Sequence, residues 1–263
     1  MLKLPDKITK TMKSNSKLKS IISSYGPDDK NNLYIIEIDD LNENKISFIK
    51  SEISLKNEMI LFRQGLKAKV QSPSVQPGAQ IASSISTSSI GFRARRWGVD
   101  GFVISGHAAL NGDVTSSGTW APEFGTVTER ILNNRTDAAF VTANNNVTLS
   151  NIIFQNNLSL SPNMTQTPVG TEVMLAGRRS FNIRIGSVLQ VNQIVDFGIW
   201  GQRSVTRTSY SSLDGDSGGV IYRNVNGARW VAGNHIGATR TTPTQGLFGT
   251  MLAIASDLQV NLF

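Results

Sequence analysis

Gly215-Asp216-Ser217-Gly218-Gly219 sets a serine hydroxyl among glycines beside one carboxylate, the makings of a tightly turned loop that presents a nucleophile. A neutral hydroxyl attacks poorly, so it needs a base with a pKa near working pH, and imidazole supplies one. The chain has 2 histidines. One of them, His107, ends the apolar run Gly101-Phe102-Val103-Ile104-Ser105-Gly106. Between it and Ser217, Asp137 enters a second run, Thr136-Asp137-Ala138-Ala139-Phe140-Val141. A buried carboxylate on the far ring nitrogen would fix the imidazole tautomer and stabilise the imidazolium that forms on proton transfer. In a tight turn the backbone N–H groups of Gly215 and Ser217 can aim at one point, which makes them candidate oxyanion donors.

With their order His, Asp, Ser, these segments resemble the chymotrypsin-type serine peptidases, and within them the bacterial streptogrisin-like and α-lytic-like branch. The resemblance runs from Gly78 to the C-terminus. It includes Ser89-Ile90-Gly91-Phe92 ahead of the His segment and Gly125-Thr126-Val127 before the Asp, then Gly177-Arg178-Arg179-Ser180 leading into Ile185-Gly186-Ser187-Val188. It implies a mainly β fold of two six-stranded antiparallel barrels with the site in the cleft between them. It also implies His107 as general base, Asp137 as its orienter, Ser217 as nucleophile, and a serine-type endopeptidase acting on protein or peptide substrates. Ala108 stands where relatives commonly carry a cysteine, so a bracing disulfide is not expected there.

Composition narrows the classes. A chain of 263 residues, 39% hydrophobic and 17% charged, can bury a substantial core and is not disordered. Without cysteine it holds no disulfide or thiolate metal site, and two distant histidines offer no recognisable ligand set, so no cofactor or metal is expected. A structural calcium stays open. The net charge of +7 and the run Arg93, Arg95, Arg96 beside Trp97 could signal nucleic acid, but no aromatic-interleaved platform follows them. A solvated strand end is the expectation. No stretch approaches the roughly 20 apolar residues that span a bilayer. No secretory signal is visible at Met1-Leu2-Lys3-Leu4-Pro5-Asp6, whereas the resemblance implies export. A monomer is expected.

The lysines all fall at or before Lys69, and from Arg93 onward every basic residue other than the histidines is arginine, which marks two segments under different constraints. In the first, a basic helix is expected over Lys7 to Ile22. Alternation over Leu33 to Ile38, helical spacing of Ile46, Ile49 and Ile53, and an apolar stretch from Glu58 to Phe62 read as β-α-β. Linker chemistry follows over Gln71 to Gly78. The resemblance implies that residues 1–77 are a pro-region ahead of a peptidase domain at 78–263, making the protein an autoprocessed zymogen; an ordinary accessory domain is the alternative. Downstream, short strands are expected at Phe102 to Ser105, Thr126 to Ile131, Ala138 to Val141, Glu172 to Leu175, Ile183 to Val191, Val220 to Tyr222 and Trp230 to Ala232. Ile254, Leu258 and Leu262 predict a C-terminal helix, and the Asn144 to Asn146 and Asn156-Asn157 patches predict turns.

For substrate selection, the resemblance implies that Gly233-Asn234-His235-Ile236-Gly237-Ala238 pairs with the substrate backbone and walls the pocket. Within it His235, Ile236, Gly237 and Ala238 are candidate binding residues. His235 falls where glutamate-specific relatives place a histidine. Asp214, near the pocket mouth, would repel an acid, and Ser211 is not the aspartate of a trypsin-like pocket. Ile236 replaces a serine that usually gives its hydroxyl to the catalytic aspartate, leaving Asp137 one donor short. A catalytically inactive barrel that acts as a binding module is the alternative to an enzyme.

Overall fold

A computed structural model describes residues 4–54, 59–66, 72–118, 121–180, 182–240 and 244–263. The chain divides into two compact units, Met1–Gln71 and Ser72–Phe263. Glu58 and Gln71, which figure in the sequence expectations, lie outside the described residues. Among the described residues no helix is long and apolar enough to cross a membrane.

In the first unit, α1 (Leu4–Ser14) and α2 (Ser16–Ile21) replace the single helix expected over Lys7 to Ile22. The break has a local cause: Asn15 adopts an extended conformation and its side chain accepts from the Leu18 N–H, capping a new helix. Then come β1 (Ile22–Asp28), β2 (Leu33–Ile38), α3 (Glu43–Ile53) and β3 (Ile60–Gln64). Strands β2 and β3 pair in parallel around α3, the β-α-β unit read from sequence, and β1 adds antiparallel to β2. Ile8, Leu18, Ile36, Ile38, Ile49 and Ile53 form its fully buried core.

The second unit begins with β4 (Ser74–Val75), which pairs with β12 (Thr148–Leu149). Val75 is buried in the core, so residues 72–77 of the expected linker belong to the folded unit. Next come β5 (Gln80–Ala82), β6 (Thr87–Ser89), β7 (Phe92–Arg96), β8 (Val99–Ile104), β9 (Val114–Ser116), β10 (Glu123–Leu132) and β11 (Asp137–Ala143). Strands β6 and β7 are one strand bent at Ile90 and Gly91. Ile90 bonds back to Ala79, whereas the Gly91 N–H turns to the Val103 carbonyl across the bend. Counted so, β5, β6–β7, β8, β11, β10 and β9 close a ring of six, with β5 meeting β9 again at Ala82 and Ser116.

The second barrel follows with β13 (Ser161–Met164), β14 (Glu172–Ala176), β15 (Arg184–Asp196), β16 (Gln202–Thr208), β17 (Val220–Val225), β18 (Ala228–Ala238) and β19 (Gly246–Thr250). The ring β14-β15-β16-β19-β18-β17 closes through the β18–β19 pairing, and β13 adds outside it on β18. Helix α4 (Met251–Leu258) ends at Gln259 in the left-handed region, and β20 (Val260–Asn261) then pairs with β7. Leu262, expected on the helix, lies beyond it.

Alternation decides what lies between the barrels. On β11, Ala139 and Val141 face the first barrel's core while Ala138 and Phe140 enter a shared layer. On β14, Val173 and Leu175 line the second barrel while Met174 and Ala176 enter that layer, which Ile254 and Leu258 of α4 also join. Strands buried on both faces read as continuous apolar runs. Asp137 sits at the mouth of one such run, carried by packing to the seam between barrels.

Candidate active site

His107 lies on a single 3₁₀ turn, Gly106–Ala108, directly after β8, and Asp137 is the first residue of β11. Strands β8 and β11 are antiparallel neighbours with Ile104 opposite Ala139, so these two ends meet. The Asp137 carboxylate, 1% exposed, accepts twice from His107: Oδ1 from the backbone N–H at 2.9 Å, and Oδ2 faces ring Nδ1 at 2.8 Å. That leaves Nε2 for a substrate-side partner, and the Trp200 ring lies 5.9 Å from the imidazole, centre to centre. Asp137 is fixed from behind: Asn234 Nδ2 donates to its carbonyl at 3.0 Å, and the preceding Thr136 hydroxyl donates to Asp257 of α4 at 2.6 Å.

Ser217 lies on the loop between β16 and β17. Its hydroxyl donates to the Ile236 carbonyl at 3.0 Å, with no hydrogen bond to His107 among the described residues. Gly215, at φ +97°, and Gly218, at φ +87°, shape the turn. A Cβ on Gly218 would fall 2.3 Å from the Ser89 carbonyl oxygen, a contact that only glycine avoids. Ser89 clamps the loop from the first barrel: its N–H donates to the Ser217 carbonyl at 2.8 Å, and its hydroxyl bridges from the Arg178 N–H at 2.9 Å to the Gly215 carbonyl at 2.8 Å. The fully buried Asp216 carboxylate meets four donors. The N–H groups of Arg179 and Ser180 reach Oδ1 at 2.9 and 3.1 Å, and the Ser180 hydroxyl and Leu213 N–H reach Oδ2 at 2.6 and 2.9 Å. Among the described residues the N–H groups of Gly215 and Ser217 find no acceptor. Two unpaired donors flanking a hydroxyl are what an oxyanion requires.

The candidate pocket residues separate by exposure. His235 and Ile236 are buried on β18, Gly237 and Ala238 are half-buried, and Ser211 and Asp214 are exposed on the loop. Tyr210 hydroxyl and His235 Nδ1 lie 3.1 Å apart, and burial pushes His235 down to about 4, so the ring is neutral at pH 7. The His235 backbone is held as well, its carbonyl accepting from Gly218 N–H and Ser105 hydroxyl. Arg93, Arg95 and Arg96 are engaged locally: Arg95 with Asp100, Arg96 with Glu129, and Arg93 with the Phe263 carbonyl.

Sequence reasoning passed over Arg203, Tyr210 and Trp200, and gave Ser180 no role beyond its place in a turn. Arg203 has the plainest signal, an arginine at an inward position of the alternating strand β16, next but one to buried Val205.

The two closed barrels, with His107 and Asp137 from one and Ser217 from the other, are the fold of the chymotrypsin-type serine proteases in the form of their bacterial α-lytic branch. Protease A of Thermobifida fusca is 23% identical with a TM-score of 0.61, and Nocardiopsis protease is 24% identical with a TM-score of 0.61; each match covers 72% of this chain and 98% of the other. A glutamic acid-specific serine protease that uses a histidine triad in substrate binding is 20% identical, with a TM-score of 0.61 over 72% of this chain and 100% of its own. No family model and no curated protein sequence matches.

Proposed function

We propose that the unit 72–263 is a serine endopeptidase that works through an acyl-enzyme. The observation that carries this reading is the double contact of Asp137 with His107 beside a hydroxyl flanked by two unpaired N–H groups. The reaction requires the Ser217 hydroxyl to leave the Ile236 carbonyl for His107 Nε2. As Oγ bonds to the scissile carbonyl carbon, its proton passes to Nε2, and the oxyanion is received by the N–H groups of Gly215 and Ser217. Asp137 stabilises the imidazolium through Nδ1–H. Collapse breaks the C–N bond, the amine leaves with the Nε2 proton, and water repeats the sequence to release the acid.

Replacing Ser217 or His107 with alanine is expected to lower peptide hydrolysis by about 10⁴- to 10⁶-fold with folding retained. A Ser217→Ala protein that cleaves at the parental rate overturns the assignment. The alternative, a silent barrel that binds peptides, draws on the Ser217 hydroxyl being bonded to Ile236. Covalent labelling of Ser217 by a fluorophosphonate separates the two.

Three finer readings go with this one. Unit 1–71 acts as a pro-region, with autoprocessing and export following from the likeness to bacterial proteases. Substrates with glutamate before the scissile bond are preferred. A hydroxyl donated by Tyr210 to Nδ1 makes the neutral His235 ring present Nε2–H, a donor suited to a carboxylate. The protein acts as a monomer without a cofactor.

A further inference from the structure

Arg203 is 1% exposed, and its Nε lies 3.6 Å from Asp137 Oδ2, the same oxygen that faces His107 Nδ1. Burying a guanidinium is costly unless a counter-charge meets it, and among the described residues Asp137 is the carboxylate in ion-pair range. The rest of its surroundings are weak partners. Nη1 reaches the Gly201 carbonyl at 3.4 Å, the Phe197 ring lies 5.7 Å away, and Nε has no hydrogen bond. Strand β16 is held against the turn before Asp137, since the Ser204 N–H donates to the Asn134 carbonyl at 2.7 Å. The arginine is therefore placed by the fold, not by a mobile side chain. Ile236, whose side chain has no hydroxyl, offers Asp137 no donor from β18.

We propose that Arg203 is a positioning residue of this centre: a buried second counter-charge for Asp137 that lowers the pH at which His107 becomes available as a base. The proposal rests on the peptidase reading. A carboxylate shared between a fixed guanidinium and an imidazolium stabilises the imidazolium less than one that serves it alone, so the cation favours neutral imidazole. The other charged or titratable groups around the pair are Arg130 of β10, whose Nε donates to the Gly106 carbonyl at 2.7 Å, His235 of β18, Asp216 of the serine loop, and Asp257 of α4 with its partner Arg135. None of these is in ion-pair range of Asp137; among the described residues only His107 and Arg203 are.

The test compares parent, Arg203→Met and Arg203→Lys. In Arg203→Met the acid limb of the kcat/KM profile, and of the fluorophosphonate labelling rate, should move up by about one pH unit. Arg203→Lys, which keeps the charge, should stay within a few tenths of the parent. In a Ser217→Ala background, NMR titration of the His107 ring should move the same way; with 2 histidines in the chain, His235→Gln completes the assignment. Unchanged limb and titration in Arg203→Met overturn the proposal. If Arg203→Met does not fold, Asp137→Asn/Arg203→Met decides: recovered folding supports the pairing, and continued failure overturns it. A parent that neither cleaves peptides nor labels at Ser217 removes the peptidase reading instead, while titration and folding rescue still report on Arg203.

Discussion

Asp216 is the residue on which the shape of the serine loop most depends, and Asp216→Asn tests that dependence with almost no change in volume. Oδ1 receives two backbone N–H groups, so an amide nitrogen placed there would oppose both. Turned the other way, it meets the Ser180 hydroxyl, which can rotate to accept, and the Leu213 N–H, which cannot. Even the better orientation leaves the part-buried Leu213 N–H unpaired and turns three bonds to a carboxylate into bonds between neutral groups. An unpaired donor shielded from water costs about 1–3 kcal/mol, and each of the three weakened bonds about 0.5–1 kcal/mol, which sums to about 2.5–6 kcal/mol. The same loop carries the Gly215 and Ser217 N–H groups, so kcat should fall by about 10²- to 10³-fold, the scale of a misplaced oxyanion donor. Urea unfolding in a Ser217→Ala background reads the first quantity without autolysis, and the fluorophosphonate labelling rate of Asp216→Asn reads the second. A variant within about 0.5 kcal/mol of the parent that labels at the parental rate would refute the reasoning, because the four bonds would then be holding nothing in place.

Acid should weaken the fold in two windows. His235 is pushed down to about 4 by burial, so as pH falls from about 6.5 to about 4 the unfolded chain takes up a proton that the folded one refuses, and about 3 kcal/mol of stability should go. His235→Gln should flatten that part of a stability-against-pH curve, and an unchanged slope would exclude the histidine as its source. Asp257 is held down at about 2, chiefly by Arg135 and then by Thr136 and Asn133, so its contribution is present above the ordinary carboxylate range and lost as pH falls towards 2. Asp257→Asn should cost about 1–2 kcal/mol at pH 7 by chemical denaturation, with the effect vanishing near pH 2. Maturation should leave Ser74 and Val75 on the product, since Val75 is buried in the barrel core; N-terminal sequencing that finds a stable enzyme starting after Val75 would refute this. A peptide library should show glutamate preferred over lysine or arginine before the scissile bond, with the preference lost in His235→Ala; a parent indifferent to glutamate would remove the pocket role.

What could be read from sequence was whatever the chain writes locally. Gly-Asp-Ser-Gly-Gly is contiguous because one tight turn carries the Ser217 hydroxyl and the two N–H groups of the proposed site, and the turn needs glycine at Gly215 and Gly218. His107 and Asp137 each adjoin an apolar run because each stands at the end of a barrel strand, and the run through Phe140 and Val141 is continuous because both of its faces are covered. The helix expected over Lys7 to Ile22 was misjudged where one side chain, Asn15, cuts it by capping. Strand β1 escaped notice because Gly26 and Pro27 interrupt its pattern, and its hydrogen bonds to β2 are a tertiary fact. Residues 72–77 look like a linker by composition, and only pairing with Thr148–Leu149, far along the chain, makes them part of the barrel.

The electrostatics of the site belong to this second kind. Arg203 and Asp137 stand on strands of different barrels, and no spacing rule links a residue of β16 to one of β11. What the resemblance implied was a deficit, Ile236 in place of a hydroxyl donor, and a deficit at a buried carboxylate asks where its missing partner has gone. The inward arginine of β16 supplies an answer of a different character. A hydroxyl offers Asp137 one directional hydrogen bond and no charge; a guanidinium whose Nε stands 3.6 Å away and makes no hydrogen bond offers charge and little direction. Orientation of the carboxylate then falls to its two bonds with His107 and to Asn234 and Thr136 behind it, while Arg203 sets the field. Separating these roles predicts separable phenotypes: Asn234→Ala should lower kcat with the pH limb in place, whereas Arg203→Met should move the limb. If the two variants shifted the same quantity by the same amount, positioning and field would be one effect, and the division of labour drawn from these contacts would be wrong.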